Sequence, residues 1–263
     1  DAGVYWEPVG DEYFHYGSIG AMEFSESNPD IAYVGLGEPQ MRNNVSWGDG
    51  VYKTTDNGLT WTHLGLEESK HISQIRVHPT NPDIVFVGVY GHAFGPNPER
   101  GVYRTKDGGK SWEHMGLEET FTISRILVHP ENPDVVYVGS MGHTWGPSPG
   151  RGVFRTKDGG KTWEKVLYKS DKAGCIDLVM NPANPKELFA AIWDFERKAW
   201  GSKTAGPDSG IWHSTDGGDT WTEITRNEGL PEKGMLGRIG LTMSAADPNR
   251  VYALIDSEEK TGL

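Results

Sequence analysis

The chain has 263 residues, of which 36% are hydrophobic, and its 10 Trp, 10 Tyr and 8 Phe are enough for an aromatic-rich core in one all-β domain. The net charge of −12 argues against a nucleic-acid partner, which requires a basic surface, and against binding to an anionic membrane. Cys175 is the only cysteine, so no intrachain disulfide supports the fold.

The 35 Gly and 16 Pro are typical of a fold with many short strands and turns. No run of 18 apolar residues is present, so no membrane insertion is predicted. The chain begins at Asp1 without a methionine or a signal peptide, and we expect either a removed leader or a piece of a longer protein.

In chain order, the first predicted element is Val4 to Val9, which resembles the fourth strand of the repeats that follow. A motif of the form Ser/Thr-x-Asp-x-Gly-x-Ser/Thr-Trp then occurs four times. Its aspartates, Asp56, Asp107, Asp158 and Asp216, lie at intervals of 51, 51 and 58 residues, and its tryptophans are Trp61, Trp112, Trp163 and Trp221. A near-constant period of this length indicates a repeat architecture.

The motif is explained by folding alone. An aspartate can bond its own backbone and a glycine adopts positive φ at little cost, so the motif predicts a tight hairpin. The tryptophan that follows can pack back over that hairpin. We therefore assign the four aspartates a structural role, with a calcium or catalytic role as the alternative.

A second marker is an Asn-Pro or Asp-Pro turn between two β-type runs. It occurs at Asn28, Asn81, Asn132, Asn184 and Asp247. Each repeat therefore reads as two strands joined by this turn, a long loop, and two strands joined by the aspartate turn. Four antiparallel strands per roughly 50 residues predict the blade of a β-propeller.

We predict an all-β fold with one β-propeller domain over residues 1–263. Complete blades are expected at 16–65, 71–116, 122–167 and 174–225, a partial blade at 236–263, and a fourth strand of a split or preceding blade at 3–9. One alternative is a closed ring of five blades. A piece of a larger propeller is favoured, because the chain stops at Gly262 and Leu263, where a third strand begins.

The repeated Thr-x-Asp-Gly-Gly-x-Thr-Trp resembles the Asp-box, or BNR, repeat of sialidases, xyloglucanase-type glycoside hydrolases, sortilin-type receptors and a photosystem II assembly factor. The segments Ser46–Trp61, Gly91–Pro96, Gly142–Pro147, Arg151–Tyr168 and Leu236–Leu241 most resemble large exported bacterial BNR-repeat proteins, described as sortilin-like or glycosyl-hydrolase-like. The resemblance covers essentially the whole chain. It implies further blades beyond it and an exported location, periplasmic, cell-surface or extracellular, but no particular activity.

The connections between second and third strands are long and rich in aromatic and charged residues, which suits stacking on sugars or anchoring a protein. The candidate ligand-binding residues in them are Trp47, His92, Phe94, Arg100, His143, Trp145, Arg151 and Trp200. The alternative is that these rings pack neighbouring loops together.

A second candidate set comes from aligning the first strands. Ala21, Gln74, Arg125, Asp177 and Arg238 occupy one register position, and four of these five are polar among apolar neighbours. Gln74, Arg125 and Arg238 are therefore candidate ligand-binding residues, since arginine forks suit anionic or polyhydroxylated ligands. The alternative is a ring of mutually satisfied salt bridges.

No complete catalytic constellation is evident. Glycoside hydrolysis needs two carboxylates about 5–10 Å apart; Asp177, Asp194 and Glu196 are the candidates, without a defined pair. The histidines lack metal-ligand spacing and no phosphate-binding glycine loop precedes a helix, so neither a metal nor another cofactor is predicted.

Two functions remain open. The first is an exported, non-catalytic binding or assembly propeller that recognises a glycan or a protein or peptide partner, with further blades or subunits of a larger complex as additional partners. The second is a glycoside hydrolase, xyloglucanase-like or sialidase-like, whose site is completed by blades absent from this chain.

Overall fold

A computed structural model of the chain describes residues 3–40, 44–95 and 97–258. The predicted start of a third strand at Gly262 lies outside these residues. The chain divides into two compact units, residues 1–114 and 115–263, which are described separately. Both units are built from antiparallel sheets, and the longest helical segments among the described residues are two three-residue 3-10 turns.

The first unit contains two four-stranded sheets, each with its strands paired in chain order. The first sheet consists of β1 (Ile19–Phe24), β2 (Ala32–Leu36), β3 (Val51–Thr54) and β4 (Thr62–His63), and the second of β5 (Ile72–His78), β6 (Asn81–Val89), β7 (Gly101–Thr105) and β8 (Glu113–His114). A 3-10 turn, Glu67–Ser69, connects the two sheets. A shared core that includes Tyr33, Ile75 and Val87 fills the space between them.

The second unit begins with the 3-10 turn Glu118–Thr120 and contains two further four-stranded sheets. The third sheet consists of β9 (Ile123–His129), β10 (Asn132–Ser140), β11 (Gly152–Thr156) and β12 (Glu164–Leu167). The fourth consists of β13 (Ala173–Asn181), β14 (Asn184–Asp194), β17 (Gly210–Ser214) and β18 (Thr222–Glu223). Between β14 and β17 the chain forms a separate hairpin, β15 (Glu196–Lys198) and β16 (Gly201–Lys203), called the arm below.

A final pair of strands, β19 (Leu236–Met243) and β20 (Val251–Ser257), packs against the fourth sheet through a core that includes Ala191, Leu236 and Ile255. The four-stranded antiparallel order in every complete repeat confirms the predicted fold class. The second strands are buried on both faces near the loop that follows them, as in the fully buried β2.

The aspartate hairpins form as the sequence predicts. In the third sheet, Oδ1 of Asp158 accepts hydrogen bonds from the Thr156 hydroxyl (2.8 Å) and the Thr162 amide (3.0 Å), and Oδ2 accepts one from the Thr162 hydroxyl (2.6 Å). These bonds, with those from Thr162 the strongest, lower the pKa of Asp158 to about 2. The same three-bond pattern surrounds Asp56, Asp107 and Asp216.

The motif tryptophans connect neighbouring repeats. The indole of Trp112 donates to the Leu64 carbonyl (2.9 Å), and that of Trp163 donates to the Met115 carbonyl (2.7 Å). Both carbonyls belong to the residue directly after the outer strand of the preceding repeat. Trp61 makes the equivalent bond to the Val9 carbonyl (2.7 Å). Val9 thus takes the position that a fourth strand would supply, although residues 4–9 form no strand in the described structure and Trp6 is 86% exposed.

Candidate functional site

The long loops lie at the opposite end of their sheet from the aspartate hairpin. In the third sheet, Ser140 pairs with Gly152 at one end of β10 and β11, and Val136 pairs with Thr156 at the other. Trp145 lies in the loop that joins the first end, and Asp158 lies in the turn after the second. We call the end of each sheet that carries the long loop the loop side.

Two of the predicted ligand-binding arginines donate hydrogen bonds to backbone carbonyls. Arg151 is fully buried, and its guanidinium donates to the carbonyls of Lys172, His143, Gly146 and Phe195 at 2.6–3.2 Å. Burial lowers its pKa.

Arg100, which is 2% exposed, similarly donates to the carbonyls of Tyr90, His92 and Gly95. These bonds of Arg100 lie within its own loop, whereas those of Arg151 also reach Lys172 and Phe195, on either side of the first hairpin of the fourth sheet.

In the first unit, three predicted aromatic residues share the loop side. Trp47 is 52% exposed; its ring meets that of His92 edge to face at 5.9 Å, and the Lys70 ammonium lies 5.8 Å from it. Phe94 is exposed. Gln74 lies on β5, half-buried, opposite Gly88 and directly after a register shift. Trp47 and Phe94 are thus exposed aromatic side chains on the loop side of the first unit.

In the second unit, the loop side contains a small pocket of about 90 Å³. Its walls come from the loop of the third sheet, from the start and end of the first hairpin of the fourth sheet, and from the arm. The lining residues are Gly146, Pro147, Arg151, Lys172, Asp194, Phe195, Glu196 and Lys203. The pocket therefore contains two of the three predicted carboxylates and one predicted arginine.

Aromatic side chains surround this pocket. Trp193 and Phe195 are stacked at 4.2 Å, and the Arg238 guanidinium lies 5.9 Å from the Trp193 ring. Trp145 is half-buried beneath the guanidinium of Arg197, at 5.8 Å.

Trp200 projects from the turn of the arm and is 87% exposed. His143 lies farther along the loop, where its ring meets Phe121 at 4.9 Å.

Both pocket carboxylates are paired with lysines. Asp194 is 2% exposed, and each of its oxygens lies 2.7 Å from Nζ of Lys203. Glu196 forms an ion pair with Lys198 within the arm, and this bond lowers its pKa. A carboxylate with a lowered pKa is ionised at neutral pH and suits a base or nucleophile, not a general acid.

Asp177 is not among the residues that line this pocket, and both of its oxygens accept hydrogen bonds. Its Oδ1 accepts bonds from Arg125 Nε (2.7 Å) and the Leu178 amide (2.9 Å), and its Oδ2 accepts one from the Leu241 amide (2.9 Å). The salt bridge joins β9 to β13, and the amide bond continues to β19. For Arg125 and Asp177 the structure therefore shows the salt-bridge alternative, and Arg238 is not part of it.

Lys203, Arg197 and Lys172 are not among the residues predicted from the sequence. Residues 193–209 are expected to form one loop, whereas residues 196–203 form a hairpin. This hairpin reaches the third sheet's loop, where the Arg197 amide donates to the Thr144 carbonyl (2.8 Å). The available signal is the pair of short polar segments, 196–198 and 201–203, on both sides of Ala199 and Trp200. It is weak, because neither turn residue has a strong turn preference.

No helix among the described residues is long and apolar enough to cross a membrane. Within the same residues, no group of three or more His, Cys, Asp or Glu side chains could hold a metal ion.

Comparisons with known proteins place this geometry in context. The family model described as Sortilin-Vps10 (sortilin, neurotensin receptor 3) matches residues 100–233, about half of the chain. In sequence, the chain is 24% identical to a xyloglucanase of Acetivibrio thermocellus over 86% of this chain and 28% of that protein. It is also 24% identical to a xyloglucanase of a Paenibacillus species over 84% of this chain and 22% of the relative.

Solved structures with the same fold include an ancestral GH74 enzyme (TM-score 0.65, 19% identity, 96% of this chain and 29% of the other). Another is the GH74 xyloglucanase from Xanthomonas campestris (TM-score 0.63, 15% identity, 90% of this chain and 35% of the other). The chain thus spans about a quarter of the length of the bacterial xyloglucanases that it matches in sequence. At these identities the structural likeness shows the fold, a β-propeller.

Proposed function

The chain belongs to the Sortilin-Vps10 family. We propose that it is an exported binding propeller that recognises a glycan through the loop side of residues 115–263. The site consists of the pocket with Asp194, the stacked pair Trp193 and Phe195, and the exposed Trp200. The other classes of partner are a protein or peptide, and further blades or subunits of a larger complex. The net charge of −12 still opposes nucleic acid as a partner.

The observation that carries the proposal is the position of Trp200. An indole that is 87% exposed at the end of a two-stranded hairpin contributes nothing to a hydrophobic core, yet the hairpin beneath it is held by side-chain and backbone bonds. Flat, exposed rings beside polar groups suit stacking on pyranose faces. The polar groups of the adjacent pocket can bind sugar hydroxyls, and the sequence similarity to xyloglucanases favours a polysaccharide ligand.

The test is affinity electrophoresis of the full-length protein that carries this chain, with xyloglucan and a panel of other polysaccharides. Trp200→Ala is expected to weaken retention at least about fivefold, as loss of a central aromatic contact does elsewhere. Leu59→Ala is the matched control, since Leu59 is also an exposed apolar residue in a hairpin turn but belongs to an aspartate box. Retention that survives both Trp145→Ala and Trp200→Ala would contradict the proposed surface.

A second candidate function is glycoside hydrolysis, with a site completed by other parts of a longer protein. It is favoured by the xyloglucanase relatives and by the presence of Asp194 and Glu196 in one pocket. Ionised Glu196 would act as base or nucleophile, and the general acid would come from outside this chain.

Release of reducing ends by the full-length protein, abolished in Glu196→Gln while xyloglucan retention persists, would support hydrolysis. If no reducing ends are released from any polysaccharide of the panel, hydrolysis is contradicted and the binding function is retained.

A further inference from the structure

The carboxylate of Asp194 is buried at the end of β14, where its residue pairs with Ala173. The Ser209 hydroxyl accepts a hydrogen bond from the Asp194 amide (2.9 Å), which fixes the backbone at this position. A Cβ added at Gly206 would lie 1.9 Å from Oδ2 of Asp194, so the chain that returns from the arm packs directly against the carboxylate. The carboxylate is therefore packed against the returning chain and also lines the pocket.

Lys203 supplies the positive charge that this carboxylate requires. Its ammonium reaches both oxygens at 2.7 Å, while 43% of its side chain is exposed. Lys203 is the last residue of β16, and Glu196, at the start of β15, is its cross-strand partner. The ion pair thus connects the last residue of the fourth sheet's second strand to the base of the arm.

The remaining connections of the arm are backbone bonds and ring contacts. Besides the Arg197 amide on the third sheet's loop, the Trp193 indole donates to the Thr204 carbonyl (2.7 Å). These bonds hold the two ends of the arm but leave its two short strands paired through only three residue pairs. An isolated hairpin of this size is marginally stable in water, so its position depends on side-chain contacts at its base.

We propose that Asp194 and Lys203 form an electrostatic clamp that fixes the arm over the pocket and thereby sets the position of Trp200 for its ligand. Asp194 is in this role a positioning residue and not a catalytic acid. The role of Trp200 toward a ligand rests on the proposed glycan-binding function, whereas the fixed position of the arm does not. The charges cancel within the Asp194–Lys203 and Glu196–Lys198 pairs, while Arg151 and Lys172 also line the pocket, so the ligand that we propose is a polysaccharide without cationic groups.

The clamp itself is tested by amide hydrogen exchange of the full-length protein. Lys203→Gln leaves a buried carboxylate without its partner, and Asp194→Asn removes the charge that holds the lysine. In both variants the amide hydrogen-exchange rate of residues 196–203 is expected to rise at least about tenfold. Lys203→Arg restores the charge and is expected to return exchange to the original rate. Lys157→Gln, which removes an exposed lysine from an ion pair with Asp219, is the matched control and should leave the arm unchanged.

The ligand part is tested in the same variants by affinity electrophoresis with xyloglucan. The parent and Lys203→Arg are expected to bind xyloglucan with about tenfold higher affinity than Lys203→Gln. This result would support the clamp as a positioning device. Unchanged exchange in the arm of both Lys203→Gln and Asp194→Asn would overturn the inference. Absence of xyloglucan binding by the parent would count against the proposed function alone, since the exchange rates still decide whether the clamp exists.

Discussion

Nη2 of Arg155, on β11 of the third sheet, lies 2.7 Å from Oδ1 of Asp219, in the aspartate-box turn of the fourth sheet. The same nitrogen lies 2.8 Å from Glu164 on β12, and Nη1 donates to the Gly217 carbonyl. Arg155 itself is 3% exposed, although both carboxylates are more than half exposed. One buried guanidinium therefore joins two neighbouring blades at the end opposite the loop side.

Removing this contact should weaken the packing of the third sheet on the fourth. Arg155→Ala loses the packed side chain and leaves the Gly217 carbonyl without this donor, and we expect the free energy of unfolding to fall by about 2 kcal/mol. Urea unfolding at pH 7 measures the change. Lys157→Ala, which acts on the same Asp219 from an exposed position, should have little effect, and an equal loss in both variants would contradict the account.

The buried loop arginine should not tolerate a lysine. Arg151→Lys keeps the charge but replaces a planar fork that serves four carbonyls, so we expect a loss of about 3 kcal/mol in unfolding free energy. Arg250→Lys is the control, because Arg250 is 62% exposed and pairs with Asp247 at 3.3 Å. A loss after Arg151→Lys no larger than that of the control would show that the carbonyl contacts contribute little.

The aspartate boxes should make stability sensitive to acid. The folded-state pKa of Asp158, about 2, lies below its ordinary value of 3.8, so the unfolded chain binds the proton more readily. The stability that Asp158 contributes is present above pH 4 and is lost as the pH falls from about 4 to about 2. Asp158→Asn should flatten the pH dependence of the urea midpoint in this window, whereas Asp11→Asn, at an exposed position outside any box, should leave it unchanged.

A buried histidine should add a second pH dependence at milder acidity. His71 is fully buried beside the Tyr90 ring at 6.0 Å, and burial lowers its pKa from 6.5 to about 4. The unfolded chain therefore binds a proton between these values while the folded chain does not, and stability falls as the pH drops from about 6.5 toward 4.

We expect a loss of about 3 kcal/mol across this range. His71→Thr is the natural replacement, since the corresponding residue of the next repeat is Thr122. Urea unfolding at pH 7.5 and pH 5 should show a smaller difference for this variant than for the parent. An identical difference would mean that other groups cause the pH dependence.

The repeats and their hairpins could be predicted because their determinants are local. Asp158, Thr156 and Thr162 lie within seven residues of one another, and their geometry follows from turn chemistry. The alignment of first strands also placed Arg125 and Asp177 at one register position, which their salt bridge now links.

The chemistry of the loop side could not be predicted in the same way, because it depends on contacts between repeats. Arg151 reaches the carbonyl of Phe195, 44 residues later, and nothing in its own segment distinguishes that role from ligand binding. Asp194 and Lys203 are only nine residues apart, but their contact requires a hairpin with weak turn residues. The role of each charged group depends on its burial and on its ion-pair partner. Neither can be predicted from the pattern of residue types along the chain.

The tryptophan of the fourth aspartate box differs from the other three. Trp221 lies against the core of the second unit, but its indole nitrogen is buried and has no hydrogen-bond partner among the described residues, whereas Trp61, Trp112 and Trp163 each donate to a carbonyl. Opening of that hairpin would let water reach an N–H group that the closed state leaves unsatisfied. The fourth hairpin therefore lacks the indole–carbonyl bond that the other three make, and its opening breaks one hydrogen bond fewer.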